Sequence, residues 1–298
     1  MKIAAIIPCY NEELTIKQVI CDIQKYCPKC EIYVFDNNSS DNSYNIAKET
    51  GAIVKKVMYQ GKGEVVRNAF SIIDADIYIL MDGDGECDAS AIPSLIDYLI
   101  NEDLDMITVI RKAGKYRRGH SFGNKMITTF AKILFGKNCN DILSGYRIFS
   151  KKFVKTFPAN SRGFEIETEL TIYALQMRLP IDEVSAKYIK RPEGSHSKLN
   201  TFKDGFRILF TIIYLLITEK PLLFFNTISL IFLVIGLFLG IGITIEYFET
   251  LKVERFPTAI LTICLIILSA LSFSIGLLMK AISKVLSENR RFKYNSFK

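Results

Sequence analysis

The chain has 298 residues, 49% hydrophobic and 23% charged, with a formal net charge of +7. That length admits one large domain or two smaller ones, and the mixture of many apolar with many charged residues implies a soluble domain plus a concentrated apolar segment. A basic balance suits nucleic acid, anionic lipid or phosphorylated substrates, nucleic acid being the weakest of these and not expected as a partner.

Residues 3–7 are an apolar run too short for a signal-peptide core and are expected to be a first β-strand. Asn11 is expected to cap a helix in which Ile16, Val19, Ile20 and Ile23 recur at i, i+3, i+4, i+7. A second strand over 31–35 leads into the polar run Asp36-Asn37-Asn38-Ser39-Ser40-Asp41, then a helix with Gly51 at C′. A third strand is expected over 53–57. Gly61-Lys62-Gly63 opens a helix over about 64–73. A strand over 77–81, a helix near 91–100 and a strand over 106–110 follow. This alternation predicts a Rossmann-like α/β domain, a mostly parallel sheet with helices on both faces. The polar loops 8–13, 36–41 and 82–88 each follow a strand, so they should gather along one edge.

Beyond residue 111 the pattern is less regular. A basic loop over 111–118 precedes an amphipathic helix over about 121–135, and Asp141-Ile142-Leu143-Ser144-Gly145-Tyr146-Arg147 precedes a short strand. Residues 164–177 read as a helix whose Glu165, Glu167 and Glu169 suit the dipole at its start. The seven cysteines are irregularly spaced, as in reduced cytosolic thiols. Cys27-Pro28-Lys29-Cys30 is a lone CxxC without a second pair and is taken as a coincidence at a helix end.

The most informative stretch is Ile77-Tyr78-Ile79-Leu80-Met81-Asp82-Gly83-Asp84-Gly85-Glu86. A buried strand ends in carboxylates at i, i+2, i+4, with Gly83 and Gly85 keeping the backbone open between them. Open α/β sheets place ligand sites at the carboxyl ends of strands. Hard oxygen ligands so grouped suit Mg²⁺ or Mn²⁺, and Mg²⁺ is commonly held by one or two carboxylates plus substrate phosphates. An acidic turn after a strand is the alternative. Lys62, at a helix N-terminus that attracts phosphate, has two readings, phosphate ligand or solvated surface lysine. Arg67 faces either a nucleotide or water.

Two segments, 222–245 and 258–279, stay apolar for longer than the ~20 helical residues that cross a hydrocarbon core. Lys280, Lys284, Arg290, Arg291, Lys293 and Lys298 follow the second, so positive-inside bias predicts a cytosolic tail and, through the hairpin, a cytosolic N-terminal domain. Residues 201–221 carry Lys203, Arg207 and Lys220 around an apolar stretch too short to span. They suit a helix at the lipid interface, or one packing the domain against the spans. The expected division is a catalytic domain over 1–200, an interfacial region over 201–221, spans over 222–247 and 257–280, and a basic tail over 281–298. Gly236 and Gly240 form Gly-x-x-x-Gly, which leaves a homo-oligomer open.

Pro8-Cys9-Tyr10-Asn11-Glu12-Glu13, Asp36 to Asp41, and Asp82-Gly83-Asp84 at a strand end together resemble family 2 glycosyltransferases of the GT-A fold, over roughly the first 110 residues. The run Asp141–Arg147, the loop Arg191–Lys198 and the paired spans resemble the dolichol- and polyprenyl-phosphate branch, the dolichol-phosphate mannose synthase-like enzymes. The resemblance implies a nucleotide-sugar donor framed by Pro8, Tyr10, Asn11, Glu12, Asp36, Asn37, Lys62, Asp82 and Gly83. It implies Mg²⁺ or Mn²⁺ on Asp82, Asp84 and Glu86. Many relatives have aspartate where this chain has Asn37, so uridine versus guanosine stays open, with UDP favoured. Arg111, Arg117, Ser121 and Arg191 match the acceptor-phosphate ligands, and Asp141 is expected to orient arginine or sugar, with a general base as the alternative.

The implied acceptor is a polyprenyl phosphate, undecaprenyl phosphate if the membrane is a bacterial inner membrane. A phosphate monoester has a second pKa near ~6 and is already ionised at neutral pH. It needs positioning and charge relief rather than a base, which suits bidentate arginines such as Arg111, Arg117, Arg118, Arg147 and Arg191. In-line attack would invert the anomeric centre. The competing expectations are a hydroxyl acceptor, which would require a base, and a non-enzymatic membrane scaffold.

Overall fold

The structure is a computed structural model. It describes residues 1–111 (main chain only at 111), 141–163, 165–189, 220–253 and 255–297, with isolated positions between 129 and 218. The expected helix over 121–135, most of the interfacial region, and the loop 191–198 lie outside the described residues. The chain divides into two compact units, Met1–Phe206 with Arg290–Lys298, and Arg207–Asn289.

The first unit is built on a seven-stranded sheet. Its elements in chain order are β1 Ile3–Cys9, α1 Ile16–Tyr26, β2 Cys30–Asp36, α2 Ser43–Glu49, β3 Ile53–Lys56, α3 Lys62–Ile72, β4 Ile77–Leu80, α4 Ile92–Asn101, β5 Met106–Arg111, β6 Arg147–Ser150, α5 Lys151–Thr156, α6 Glu165–Met177 and β7 Ile181–Ala186. The strand order is β3-β2-β1-β4-β6-β5-β7. All neighbours are parallel except β6, which is antiparallel to β4 and β5. The reversal of β6 positions the site: its first residue, Arg147, pairs with Leu80 at the carboxyl end of β4. The loop before β6 therefore arrives beside the acidic run.

Helices cover both faces, and alternate residues of β1 serve opposite cores as the period of two requires. Ala4 and Ile6 join Phe35, Tyr78, Leu80, Phe70 of α3, Phe153 of α5 and Ile166 of α6. Ala5 and Ile7 join Val34, Ile79, Ile20 of α1 and Leu95 of α4. Burial on both faces is why the central strands read as unbroken apolar runs. Each such large side chain contributes about 1.5–3 kcal/mol on leaving water. The sequence pattern did not separate α5 or β7. β7 is an edge strand of mixed polarity, and α5 is a short helix whose start is capped by Ser150 Oγ, which accepts from the Phe153 N–H at 3.1 Å.

One further expectation is corrected. Helix α1 begins at Ile16 after Thr15, and Asn11 does not cap it. Asn11 has φ 52° and links loops instead. The basic tail is helical as far as Ser296, and residues 290–297 belong to the first unit. There the Tyr294 hydroxyl donates to Asp105, Lys152 Nζ sits 3.7 Å from the Tyr294 ring centre, and Arg290 Nη1 donates to Gln176 Oε1 at 2.9 Å.

The second unit contains α7 Pro221–Thr250 and most of α8 Phe256–Ser296, both long and apolar enough to cross a membrane. Beyond Pro221 at the start of α7, their buried positions are small residues seven apart, Ser229 and Gly236 on α7, Thr262, Ser269 and Gly276 on α8. A Cβ on Gly236 would meet Leu265 and Ile266 at 3.3 Å, and one on Gly240 would meet Thr262 at 3.0 Å. The hydroxyls of Ser229 and Ser269 lie 3.0 Å apart. Close approach of small residues with hydroxyl bonding is how apolar helices associate where water supplies no driving force. The Gly-x-x-x-Gly stripe is thus used within the chain.

Candidate active site

Parallel register points three strands toward one edge: Cys9 pairs with Asp36, and Leu80 pairs with Ile6, so the residues after β4 continue alongside the end of β1. Side chains then stitch the loops that follow. Asn11 N–H donates to Ser39 Oγ at 3.0 Å, and Asn11 Oδ1 accepts from Ser40 N–H at 2.8 Å. Glu12 N–H donates to Ser43 Oγ at 2.8 Å, and Thr15 Oγ1 donates to the Gly83 carbonyl at 2.6 Å. The loops gather on one edge, as their positions after strands predicted. Tyr10 is 38% exposed beside them, and Asp36 is buried. A Cβ on Gly83 would lie 3.3 Å from the Pro8 carbonyl oxygen, so the first and third loops touch backbone to backbone. The Cys9 thiol is pushed up to about 12, first by burial and then by the charges of Asp36, Glu12 and Asp41, against a lowering hydrogen bond from Ser43.

Asn37 is buried and its amide is engaged on both sides. Its Oδ1 accepts from Gly61 N–H at 2.7 Å, and its Nδ2 donates to the Tyr59 carbonyl at 2.7 Å. It shapes the turn before α3. An aspartate could not donate here, which accounts for the amide.

Helix α3 is used differently from a phosphate cradle. Gly63 N–H donates to the Gly163 carbonyl at 3.1 Å and Glu64 N–H to the Arg162 carbonyl at 3.2 Å. A Cβ at Gly61 or Gly63 would collide with the carbonyls of Arg162 and Ser161. The helix start is capped by backbone. Arg67 is half-exposed and ion-paired with Glu64.

Lys62 points inward. Its Nζ lies 2.5 Å from Asp82 Oδ1 and 2.6 Å from Glu167 Oε1. Burial alone would lower the pKa of this ammonium, but the charges of Asp82 and Glu167 and their hydrogen bonds hold it well above the usual lysine value. Glu167 is pushed up by burial while Lys62 pulls it down. Glu167 is thus occupied with Lys62, beyond the helix-dipole pairing that its place near the start of the helix suggests. Nearly every position of α6 from Ile166 to Met177 is buried, and a carboxylate on such a helix requires a cation; the polar residues interspersed along it gave no sign of that burial in the sequence. Gly145 completes the contact: a Cβ there would lie 2.6 Å from Lys62 Nζ and closer still to Asp82 Oδ2.

Arg147 is fully buried. Its Nε donates to the Ser144 carbonyl at 2.8 Å, Nη2 to the carbonyls of Ile142 at 2.7 Å and Glu167 at 3.0 Å, and Nη1 to Thr171 Oγ1 at 2.9 Å. It fastens the loop over 141–147 to α6, which removes it from the arginines expected to meet an acceptor. Asp141 is also buried, and its Oδ1 accepts from Leu143 N–H at 3.1 Å. Arg111 ends β5, and Arg117, Ser121 and Arg191 lie outside the described residues.

The three acids after β4 do not converge. Asp82 pairs with Lys62, and Asp84 Oδ1 accepts from Glu86 N–H at 3.1 Å. Among the described residues no three His, Cys, Asp or Glu side chains group to hold a metal alone. Asp82 and Asp84 follow the same strand end, and both, after burial, push the Cys87 thiol above its usual value. Two hard carboxylates at one strand end fit, by their chemistry, a divalent cation that completes its shell with phosphate oxygens and water.

Residues 4–157 match the family described as Glycosyl transferase family 2. Glycosyltransferase AglJ of Haloferax volcanii is 31% identical over 80% of this chain and 80% of its own. The UDP-N-acetylglucosamine–dolichyl-phosphate N-acetylglucosaminyltransferase of Methanococcus voltae is 27% identical over 70% of this chain and 94% of its own. The fold resembles glucosyl-3-phosphoglycerate synthase of Mycobacterium tuberculosis, solved with Mn²⁺, UDP and phosphoglyceric acid. The TM-score is 0.61 and the identity 22%, over 72% of this chain and 77% of that one. The sheet, its reversed sixth strand and the acidic end of β4 are accordingly those of a GT-A fold, and the chain belongs to glycosyl transferase family 2.

Proposed function

We propose that the protein transfers a sugar from a UDP-sugar to a polyprenyl phosphate, with inversion, giving a polyprenyl-phosphate-linked monosaccharide for cell-envelope glycans. The observation that carries this reading is the joining, in one chain, of the Asp82–Asp84 strand end with two helices apolar enough to cross a bilayer. The Methanococcus relative is named for a UDP-sugar donor and a dolichyl-phosphate acceptor, which supports the same pairing. On this reading the catalytic unit lies in the cytosol with both termini, and the membrane is a bacterial inner membrane.

Pro8, Tyr10, Asn11, Glu12, Asp36 and Gly83 frame the nucleoside, with Asn37 acting through Gly61. Lys62 supplies positive charge near the diphosphate. Asp84, with Asp82 and Glu86 alongside, would hold Mg²⁺ or Mn²⁺, which supplies Lewis-acid stabilisation to the departing nucleoside diphosphate. The acceptor phosphate is ionised at neutral pH and attacks without a general base. Arg111, Arg117, Ser121 and Arg191 grip it and offset its repulsion from the donor. Asp141 orients an arginine or the sugar.

The test is incubation of membranes containing the protein with undecaprenyl phosphate, Mg²⁺ or Mn²⁺, and labelled UDP- and GDP-sugars. Metal-dependent label in an organic-extractable lipid, lost in Asp84→Ala, is the expected result. Nucleotide binding without lipid label from any donor would overturn the acceptor, and absence of nucleotide binding would favour a scaffold.

A further inference from the structure

We infer that Glu167 is a positioning residue that keeps Asp82 fit to serve a metal ion, by taking a share of the Lys62 charge. This rests on the metal-assisted reading above and names a residue that reading does not use.

One ammonium faces two carboxylates at nearly equal distance, 2.5 Å to Asp82 and 2.6 Å to Glu167. The two carboxylates differ in exposure. The Glu167 side chain is 7% exposed, while that of Asp82 is 33% exposed on the acidic loop. A lysine paired with Asp82 alone would cancel its charge and leave a poor cation ligand. Shared with Glu167, the same lysine leaves net negative charge on the group, and Asp82 is the member that presents it outward.

The geometry is held from every side. Gly145 leaves no room for Lys62 to move toward the loop before β6. The backbone of Glu167 is pinned by Arg147 Nη2, which donates to its carbonyl, and by Thr171 Oγ1, which donates to the same oxygen at 3.2 Å. Lys62 is itself fixed, because the start of α3 is bonded to residues 162 and 163. Partners behind a metal ligand commonly change metal affinity by about 10–100-fold when removed.

The experiment is Mn²⁺ binding to the full detergent-solubilised chain, read from the electron paramagnetic resonance signal of free Mn²⁺, with and without UDP. Glu167→Gln keeps the hydrogen-bond acceptor and removes the charge. It is expected to weaken Mn²⁺ binding about 10-fold while the melting temperature stays near wild type, with Glu167→Asp recovering part of the loss. The double substitution Lys62→Met with Glu167→Gln removes the competition for Asp82 and is expected to bind Mn²⁺ at least as tightly as wild type. Unchanged Mn²⁺ affinity in folded Glu167→Gln, or weakened affinity in the double variant, would overturn the inference. A wild-type protein that takes up no Mn²⁺, with or without UDP, would instead sink the metal-assisted reading on which it stands.

Discussion

Asn37 holds Gly61 by a 2.7 Å bond from the glycine N–H to its Oδ1, and this contact sets the turn that starts α3. Gly61 has φ 138° and packs against the Arg162 carbonyl, so the turn requires glycine there. An amide at 37 is needed because its other side donates to Tyr59. Asn37→Asp would set a carboxylate against that carbonyl. The expected cost is about 1–3 kcal/mol for the lost bond and unmet acceptor, seen as a lower melting temperature, with a raised KM for the donor. An unchanged melting temperature would remove Asn37 from this role.

Gly145→Ala tests the packing at Lys62. The added methyl must displace Lys62 Nζ or the Asp82 carboxylate. Misplacement of reacting groups by about 1 Å can cost ~100-fold in rate, so a loss of that order in turnover is expected. The melting temperature should change less than in a core truncation. Wild-type turnover in folded Gly145→Ala would show that Asp82 tolerates movement.

Arg147→Lys separates charge from geometry. The guanidinium meets three carbonyls and a hydroxyl in one plane-and-fork arrangement, and an ammonium cannot reproduce it. Keeping the charge while leaving buried carbonyls without their donors is expected to destabilise by about 1–3 kcal/mol, measured by urea unfolding of the solubilised protein. A change below ~1 kcal/mol would mean that the loop over 141–147 is held by other contacts.

Cys27 and Cys30 predict a pH-dependent reactivity. The thiol of Cys27 is lowered to about 7, chiefly by a hydrogen bond from the Cys30 thiol, against burial. The folded pKa of Cys27 is depressed, so ionisation of Cys27 contributes stability in full above the ordinary thiol value of 9.0, and that contribution is lost as pH falls through about 7. Iodoacetamide labelling of Cys27, followed by mass spectrometry, is expected to fall with a midpoint near that pH. Cys30→Ala should move the midpoint up. Cys9, at about 12, should resist labelling in the folded chain. A wild-type Cys27 midpoint at the ordinary thiol value would show that the Cys30 bond does not form.

The alternation of strands and helices up to β5 was legible because apolar periodicity is a local property of the chain. The acidic end of β4 was legible for the same reason, as an abrupt change from Leu80 and Met81 to Asp82. The role of Asn11 was misread, since Asn caps helices commonly, and here its partners Ser39 and Ser40 lie on another loop. Lys62 carried two readings, phosphate ligand or solvated lysine, and its bond to Glu167 was legible in neither, because that partner is 105 residues away. Arg147 read as a phosphate ligand because charge on a loop suggests exposure, yet it starts a central strand.

From the sequence alone came the α/β class, the gathering of three polar loops on one edge, the acidic strand end and the two long apolar helices. Each depends on residue type at short spacing, which fixes secondary structure and its order. Only the tertiary structure decided that β6 runs backwards, that Gly145 therefore packs on Asp82, and that Lys62 serves two carboxylates at once. Those relationships arise when distant segments share one buried volume, where every charge must find a partner, and spacing along the chain carries no record of that volume.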